Sequence, residues 1–304
     1  MQSDHFSPVA RTYDAAFTET LVGRMQRQIV WDALEALLQD RPLRVLEINC
    51  GTGEDACWLA RRGCWVLATD ASPAMVAVAQ EKARQEGLSV ETRVCDFSSL
   101  AQLAERDFDL VLSNFGGLNC IPPDELAALW PVLLDKLRPG GHLVAVLMGR
   151  FCWWESLYFL IKGQWRQAFR RWSGGPVTAS LDGVSSVETW YASPAACSAC
   201  SADLQVGEPE GSNHPRLSAK ARIDYQPGFL SSQSGKSRGT AALNSADLQV
   251  GATAVGFWLP PSYLNSFFER RPRLLSLLFW LEKRCRGSWW AWGADHFLIC
   301  CSAL

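Results

Sequence analysis

Between residues 43 and 148, apolar runs of strand length alternate with amphipathic stretches of helix length, and turn residues separate them. No other feature constrains the fold as strongly. "LRVLEINC" suits a strand buried on both faces. "GTG" follows it, then the helical "EDACWLARR", which Gly63 closes as a C-cap. "CWVLATD" reads as a second strand. Its helix, "SPAMVAVAQEKARQEG", has Ser72 as N-cap and Pro73 at its first position. "SVETRVCD" and "FDLVLSNFG" are further strands. "PDELAALWPVLLDKL" is a helix, "RPGG" a turn and "HLVAVLMGR" a fifth strand. Such alternation predicts an α/β fold with a doubly wound, mainly parallel sheet and helices on both faces. Right-handed crossovers then gather ligands at the carboxyl ends of the strands. Those ends fall at Asn49–Gly53, Asp70, Asp96, Asn114–Leu118 and Met148–Arg150.

The flanks differ from this core. Residues 1–40 read as a helical cap, with Ile29, Val30, Ala33, Leu34, Leu37 and Leu38 at helical spacing. Beyond 150 the rhythm breaks. Residues 151–192 hold an aromatic helix pair, the turn "GGPVTASLDG" and the strand "VSSVETWY". Residues 252–304 add a strand at "AVGFWLPP", a helix and the last strand "DHFLICCS". Antiparallel strands at the end of the parallel sheet complete seven in all. Between lies 193–251, bounded by two copies of "SADLQVG" at 201–207 and 245–251. Two copies are too few for a solenoid. The stretch between them is rich in Ser, Gly and Pro, so it reads as a flexible insertion derived from a repeat, with no site residues in it.

Composition narrows the function classes. Apolar residues make up 48% and charged residues 20%, and the net charge is −2. Nothing there pulls the chain as a whole toward nucleic acid or anionic membrane. The 11 cysteines are scattered, and no apolar leader precedes them. They read as thiols of a cytoplasmic protein, with no metal site: Cys197-x-x-Cys200 has no second half. No apolar run reaches the roughly 18–20 residues of a membrane span. The 14 tryptophans read as core filler and as walls of an aromatic substrate chamber, in preference to a membrane contact.

The turn at 49–53 must hold a ligand against backbone amides. No Lys follows Gly53, so it is not a Walker A loop. Gly51-x-Gly53-x-x-Ala56, with Asp70 ending the next strand, is compatible with a dinucleotide. Its surroundings suit another cofactor. "EINCGTG" (47–53), "ATDASPAM" (68–75), "VCDF" (94–97) and "FDLVLSNFGGLNC" with "LRPGGHLVAV" stand in order, after "FSPVARTYDAAF" in the cap. Together they resemble the motifs of the class I, Rossmann-like S-adenosylmethionine-dependent methyltransferases of the small-molecule type.

The resemblance implies S-adenosyl-L-methionine as cofactor. It also implies a binding set of Tyr13, Glu47, Asn49, Cys50, Gly51, Gly53, Asp70, Ala71, Met75, Cys95, Asp96, Phe97, Ser113, Asn114 and Phe115. Asp70 is placed on the ribose hydroxyls and Asp96 on the adenine amine. The alternative roles are a helix N-cap for Asp70 and a turn aspartate for Asp96. Asn49 stands where the family has its first glycine, and it must take positive φ if the turn is to survive.

The acceptor pocket is expected between the cap, residues 114–119 and the segment after the fifth strand. Asn119, Trp153, Trp154 and Glu155 are the substrate candidates. Transfer in line to N, O or C needs mainly positioning. A base matters only if the acceptor loses a proton, and His5 and His296 are the weak candidates, His142 lying at the wrong end of the sheet. The Asn/Asp-Pro-Pro-Tyr/Phe motif, the signature of methyltransferases acting on exocyclic amines of nucleic acid, is absent, since the matching place reads "SNFG". A small-molecule partner is therefore expected, with neither nucleic acid nor stable membrane insertion. Two other readings remain open on these residues: a nicotinamide-dependent oxidoreductase, and a non-catalytic cofactor-binding protein.

Overall fold

The computed structural model describes residues 5–38, 41–181, 185–194, 248–285 and 287–303. Its seven-stranded sheet has the order β3-β2-β1-β4-β5-β9-β8. Strands β1 (Arg44–Ile48), β2 (Trp65–Asp70), β3 (Val90–Val94), β4 (Phe108–Ser113) and β5 (Leu137–Met148) run parallel. β9 (His296–Ala303) is antiparallel to β5, and β8 (Leu248–Val255) is antiparallel to β9. A two-stranded ribbon, β6 (Val177–Leu181) with β7 (Ser185–Thr189), stands apart.

Helices α1 (Leu21–Glu35), α2 (Glu54–Ala60), α3 (Pro73–Gln85) and α4 (Pro123–Asp135) flank the parallel half. Alternate residues of each strand feed two opposite cores. Val45, Val66, Leu110 and Val144 pack with Ile29, Val30 and Leu34 of α1. Leu46, Leu67, Val111 and Leu143 pack with Leu129, Trp130 and Leu133 of α4. Both faces are buried, which is why these strands read as unbroken apolar runs. Ser72 caps α3 by accepting the Met75 N–H at 3.4 Å, and Gly63 closes α2 at φ 81°. Past β5 come α5 (Trp153–Ile161), α6 (Trp165–Ala168), α7 (Asn265–Glu269) and α8 (Pro272–Arg284).

Three expectations are corrected. "PVTASLDG" is not a turn: Val177–Leu181 pairs with Ser185–Thr189 as the ribbon. The eighth strand starts at Leu248 and ends at Val255, so "LQVG" of the second repeat copy belongs to the sheet. "GFWLPP" is instead a loop. Glu282 of α8 holds that loop, accepting the N–H groups of Gly256, Phe257, Trp258 and Leu259 at 2.6–3.2 Å. Four donors on one carboxylate fix the chain without a ladder partner. Leu248 pairs with Ala303 and Val255 with His296, so β8 enters at the amino edge of the parallel strands. Residues 195–247, with Cys197 and Cys200, lie outside the described residues.

Candidate active site

The turn after β1 takes the left-handed conformation at Asn49 (φ 48°), Gly51 (53°) and Gly53 (75°). Asn49 meets the expectation set by its place in the motif, since its short amide is one of the few side chains tolerant of this region. That amide ties β1 to β4: its Nδ2 donates to Asn114 O at 3.1 Å, and its Oδ1 accepts from Ser113 Oγ at 2.7 Å. The two glycines have different reasons. A Cβ on Gly53 would stand 2.7 Å from Ala79 Cβ, so glycine lets α2 approach α3. A Cβ on Gly51 would meet nothing within 4 Å. An open space above a left-handed glycine, at the carboxyl edge of the sheet, is a cradle for a ligand.

Asp70, at the end of β2, closes this turn. Its Oδ2 accepts Gly51 N–H and its Oδ1 accepts Ser72 N–H, both at 2.9 Å. Each carboxylate oxygen can accept a second hydrogen bond, so the helix-cap role and a ribose role are compatible. Asp96 behaves as a turn aspartate, its Oδ1 accepting from Ser98 Oγ and Ser99 N at 2.8 Å. These bonds hold its carboxyl below the usual range, although burial opposes them. Cys95 N–H donates to Asp70 O at 2.9 Å and thereby joins the ends of β2 and β3. Ala71 and Phe97 are half-buried beside these acids.

Glu47 is buried on β1, and its Oε2 has no hydrogen-bond partner. Burial pushes this carboxyl well above its ordinary value, and Asp55 adds to the rise. The fold therefore favours the protonated form. For an acid with a raised value, the contribution to stability is full below the ordinary Glu range and is lost as pH rises through the raised value. Glu47→Gln should remove that loss. Chemical denaturation at about pH 5 and about pH 8 should show the variant gaining on the wild type at the higher pH. An equal difference at both values would contradict the assignment.

Several expected site residues have other duties. Ser113 is fully buried and orients Asn49. Met75 packs with Val9 and Ala10, fastening the cap to α3. Cys50 is buried, and its thiol is pushed well up by that burial, so only its backbone belongs to the turn. Asn119 spends its amide on the backbone of Met148 and Trp190. Trp153 Nε1 donates to Phe257 O, and Trp154 Nε1 donates to Trp258 O at 3.2 Å. Glu155 is buried between Arg170 and Arg171. Trp153 and Trp154 thus tie α5 to the loop at 257–258, and Glu155 ties it to Arg170 and Arg171. The aromatic composition was legible, but the partner 104 residues away was not.

What stands at the carboxyl edge instead is a row of rings. Tyr13 lies 5.9 Å from Phe17, Phe17 lies 5.2 Å from Phe115, and Phe115 lies 5.6 Å from His296. Phe115 has φ 48°, a strained value for a bulky residue. Asn114 Oδ1 accepts its N–H at 2.9 Å, and the Arg27 guanidinium lies 4.9 Å from its ring centre. His296 reaches this edge because β9 runs antiparallel, which sets its first residue opposite Met148. Asp295 lies beside it, Oδ2 to Nδ1 3.3 Å, and is also paired with Arg171. Burial opposes ionisation of Asp295, but His296 and Arg171 hold its carboxyl well below the usual range. His5 is at the start of the described cap and is half-buried.

Sequence reasoning missed the charges under the site. Asp55 of α2 pairs with Arg27 of α1 and accepts from Trp31 Nε1 at 2.6 Å and Asn114 Nδ2 at 2.9 Å. Asp14 of the cap accepts from Thr52 Oγ1 at 2.6 Å and pairs with Lys82 at 2.8 Å, fastening the cap across the turn. A signal existed for Arg27. It is three and seven residues before Val30 and Leu34, on the apolar stripe of α1, where a lone cation needs a buried partner.

Residues 45–141 match the methyltransferase domain family. Over those residues the chain is similar to the class I, Rossmann-like methyltransferases. Its sheet order and antiparallel last strand are consistent with the fold of that family, whose cofactor is S-adenosylmethionine. Among curated relatives, the chain is 31% identical over 150 residues to the tRNA 5-carboxymethoxyuridine methyltransferase of Escherichia coli (47% of this chain, 56% of that one). It is 36% identical over 117 residues to a ubiquinone biosynthesis O-methyltransferase of Cereibacter sphaeroides (38% and 46%). To the demethylmenaquinone methyltransferase of Thermus thermophilus it is 33% identical over 147 residues (46% and 63%). The match thus spans about half the length of these relatives, and their acceptors differ in kind.

Proposed function

We propose that this chain transfers a methyl group from S-adenosylmethionine to a small-molecule acceptor. The observation that carries the reading is the open cradle over Gly51, with Asp70 closing the turn at the end of the next strand. In this reading the turn backbone at Asn49–Gly53 and Glu47 would face the methionine end. Asp70 would accept the ribose hydroxyls, a bidentate and charge-assisted arrangement. Asp96 and Phe97 would border the base. A cation placed near Glu47 would draw its raised pKa back down. When bound, S-adenosylmethionine supplies an already activated methyl group.

The protein's own task is then to orient the acceptor and to keep water out. The wall for the acceptor is the row Phe17, Phe115 and His296. Phe115 is held in its strained backbone by Asn114, and its ring packs between Phe17, His296 and the Arg27 guanidinium. The cap, tied down by Asp14 to Thr52 and Lys82, covers the turn from above. His296, backed by Asp295, is the group placed to take a proton if the acceptor must lose one. Calorimetric titration with S-adenosylhomocysteine and with NAD(H) tests the reading. Micromolar binding of the first without the second is expected. The reverse preference would place the oxidoreductase reading first, and no binding by folded protein would place the non-catalytic one first.

A further inference from the structure

Thirteen large apolar side chains are exposed among the described residues, and eleven of them fall in 157–172 and 263–292. The two stretches adjoin. Tyr158 of α5 lies 5.6 Å from Tyr263, and Trp154 lies 5.9 Å from Phe268 of α7. The faces they present are not frayed ends of a core. On α8, Leu275, Leu278 and Glu282 are buried, whereas the opposite stripe holds Arg273, Leu277, Trp280 and Arg284 at successive turns. Leu277 is 53% exposed and Trp280 49%, and on α5 Ile161 is 78% exposed.

Charge follows the same face. The whole chain is slightly acidic at −2, yet 157–172 presents Lys162 and Arg166 to solvent and has no acidic residue, while Arg170 and the buried Arg171 are taken up by Glu155. In 263–284, five cations stand against Glu269 and the buried Glu282. Cations lie on the rings themselves: Arg271 over Phe267 at 4.0 Å, Arg284 over Trp280 at 4.5 Å and Lys162 over Tyr158 at 4.4 Å. A surface of this composition has apolar groups to bury and a positive rim to match. Single-stranded RNA would use the rings and the cations, but it has no use for exposed aliphatic groups such as Ile161 and Leu277. A bilayer interface uses all three, the aliphatic groups among acyl chains, the aromatics at the headgroups and the cations on anionic lipid. No helix among the described residues is long and apolar enough to cross a membrane, so the contact would be peripheral.

We propose that the α5–α8 face docks this protein on the surface of a bilayer containing anionic lipid. The full chain should sediment with vesicles of phosphatidylglycerol and phosphatidylcholine in equal parts, and far less with phosphatidylcholine alone. High salt should weaken the contact without abolishing it, since both apolar and ionic groups contribute. Leu277→Ser with Trp280→Ser should lower the partition about tenfold or more, because two exposed anchors lose their burial. Arg273→Glu with Arg284→Glu should erase the preference for phosphatidylglycerol. All four side chains are on the outer stripe of α8, so circular dichroism should be unchanged. A wild type that stays in the supernatant of the anionic vesicles overturns the proposal. So does unchanged partition of both variants. Self-association by analytical ultracentrifugation, lost in the Leu277/Trp280 variant and unaccompanied by vesicle binding, would assign the face to a second copy. A shift of tRNA in a gel, lost in the Arg273/Arg284 variant without vesicle binding, would assign it to RNA.

Discussion

Asp70→Ala should weaken S-adenosylhomocysteine by about 100-fold or more, the larger part of this from the ribose contacts. Two hydrogen bonds to an ionised carboxylate are each worth about 1.5–3 kcal/mol when the partner is left buried, and about 2.7 kcal/mol already amounts to 100-fold. The substitution also unties the turn, since Gly51 N–H and Ser72 N–H both end on this carboxylate. Asp96→Ala is the comparison that gives the number meaning. Asp96 already serves Ser98 and Ser99 through one oxygen, and its side chain is only half-buried. Its loss should therefore cost roughly tenfold or less. Gly51→Val should also weaken binding, because it both fills the cradle and strains a turn held at φ 53°, so it supplements the Asp70 variant and does not replace it. Titration calorimetry of the three variants decides the matter. An Asp70→Ala protein that binds within about threefold of wild type would remove the cofactor from this turn.

The strands, the crossovers and the cofactor turn were legible because their physics is local. A strand buried on both faces has to be apolar throughout, and a turn with three left-handed residues has to be made of glycine and asparagine. The positive φ of Asn49 follows from the same rule. The acceptor side was much less legible. His296 reaches Phe115 only because the last strand runs antiparallel, and the register that pairs it with Met148 is a property of the sheet as a whole. Trp153, Trp154 and Glu155 have the composition of a pocket wall. Whether such side chains face a ligand or the chain itself depends on Phe257, Trp258, Arg170 and Arg171, and no local spacing reports those partners. The start of β8 inside a repeat copy was hidden for a related reason. "LQVG" is a fair edge strand only when β9 is beside it.

The buried ion pair beneath the site carries the largest expected change in stability. Asp55→Ala should destabilise the protein by about 3–5 kcal/mol, the usual consequence of removing one partner of a buried pair. Both side chains are almost wholly buried, and Arg27 Nε already has no partner, so the guanidinium has nowhere to turn. Trp31 Nε1 and Asn114 Nδ2 would lose their acceptor in the same step. At about 2–4 °C per kcal/mol for a chain of this size, the melting temperature should fall by roughly 6–20 °C. Replacing the pair together, as Arg27→Met with Asp55→Leu, should restore a large part of the loss, because neither charge then needs to leave water. Function should not return with stability. Arg27 lies against the Phe115 ring, and Asp55 fixes the Asn114 amide whose oxygen holds the Phe115 N–H. The double variant should thus recover much of the melting temperature, short of what Trp31 Nε1 and Asn114 Nδ2 lose without their acceptor, bind S-adenosylhomocysteine within a few-fold of the wild type, and lose acceptor turnover about tenfold or more. A double variant with wild-type turnover would show that the Phe115 ring is not part of the acceptor wall. A single Asp55→Ala variant losing less than about 1 kcal/mol would show that Arg27 finds water when its partner is gone.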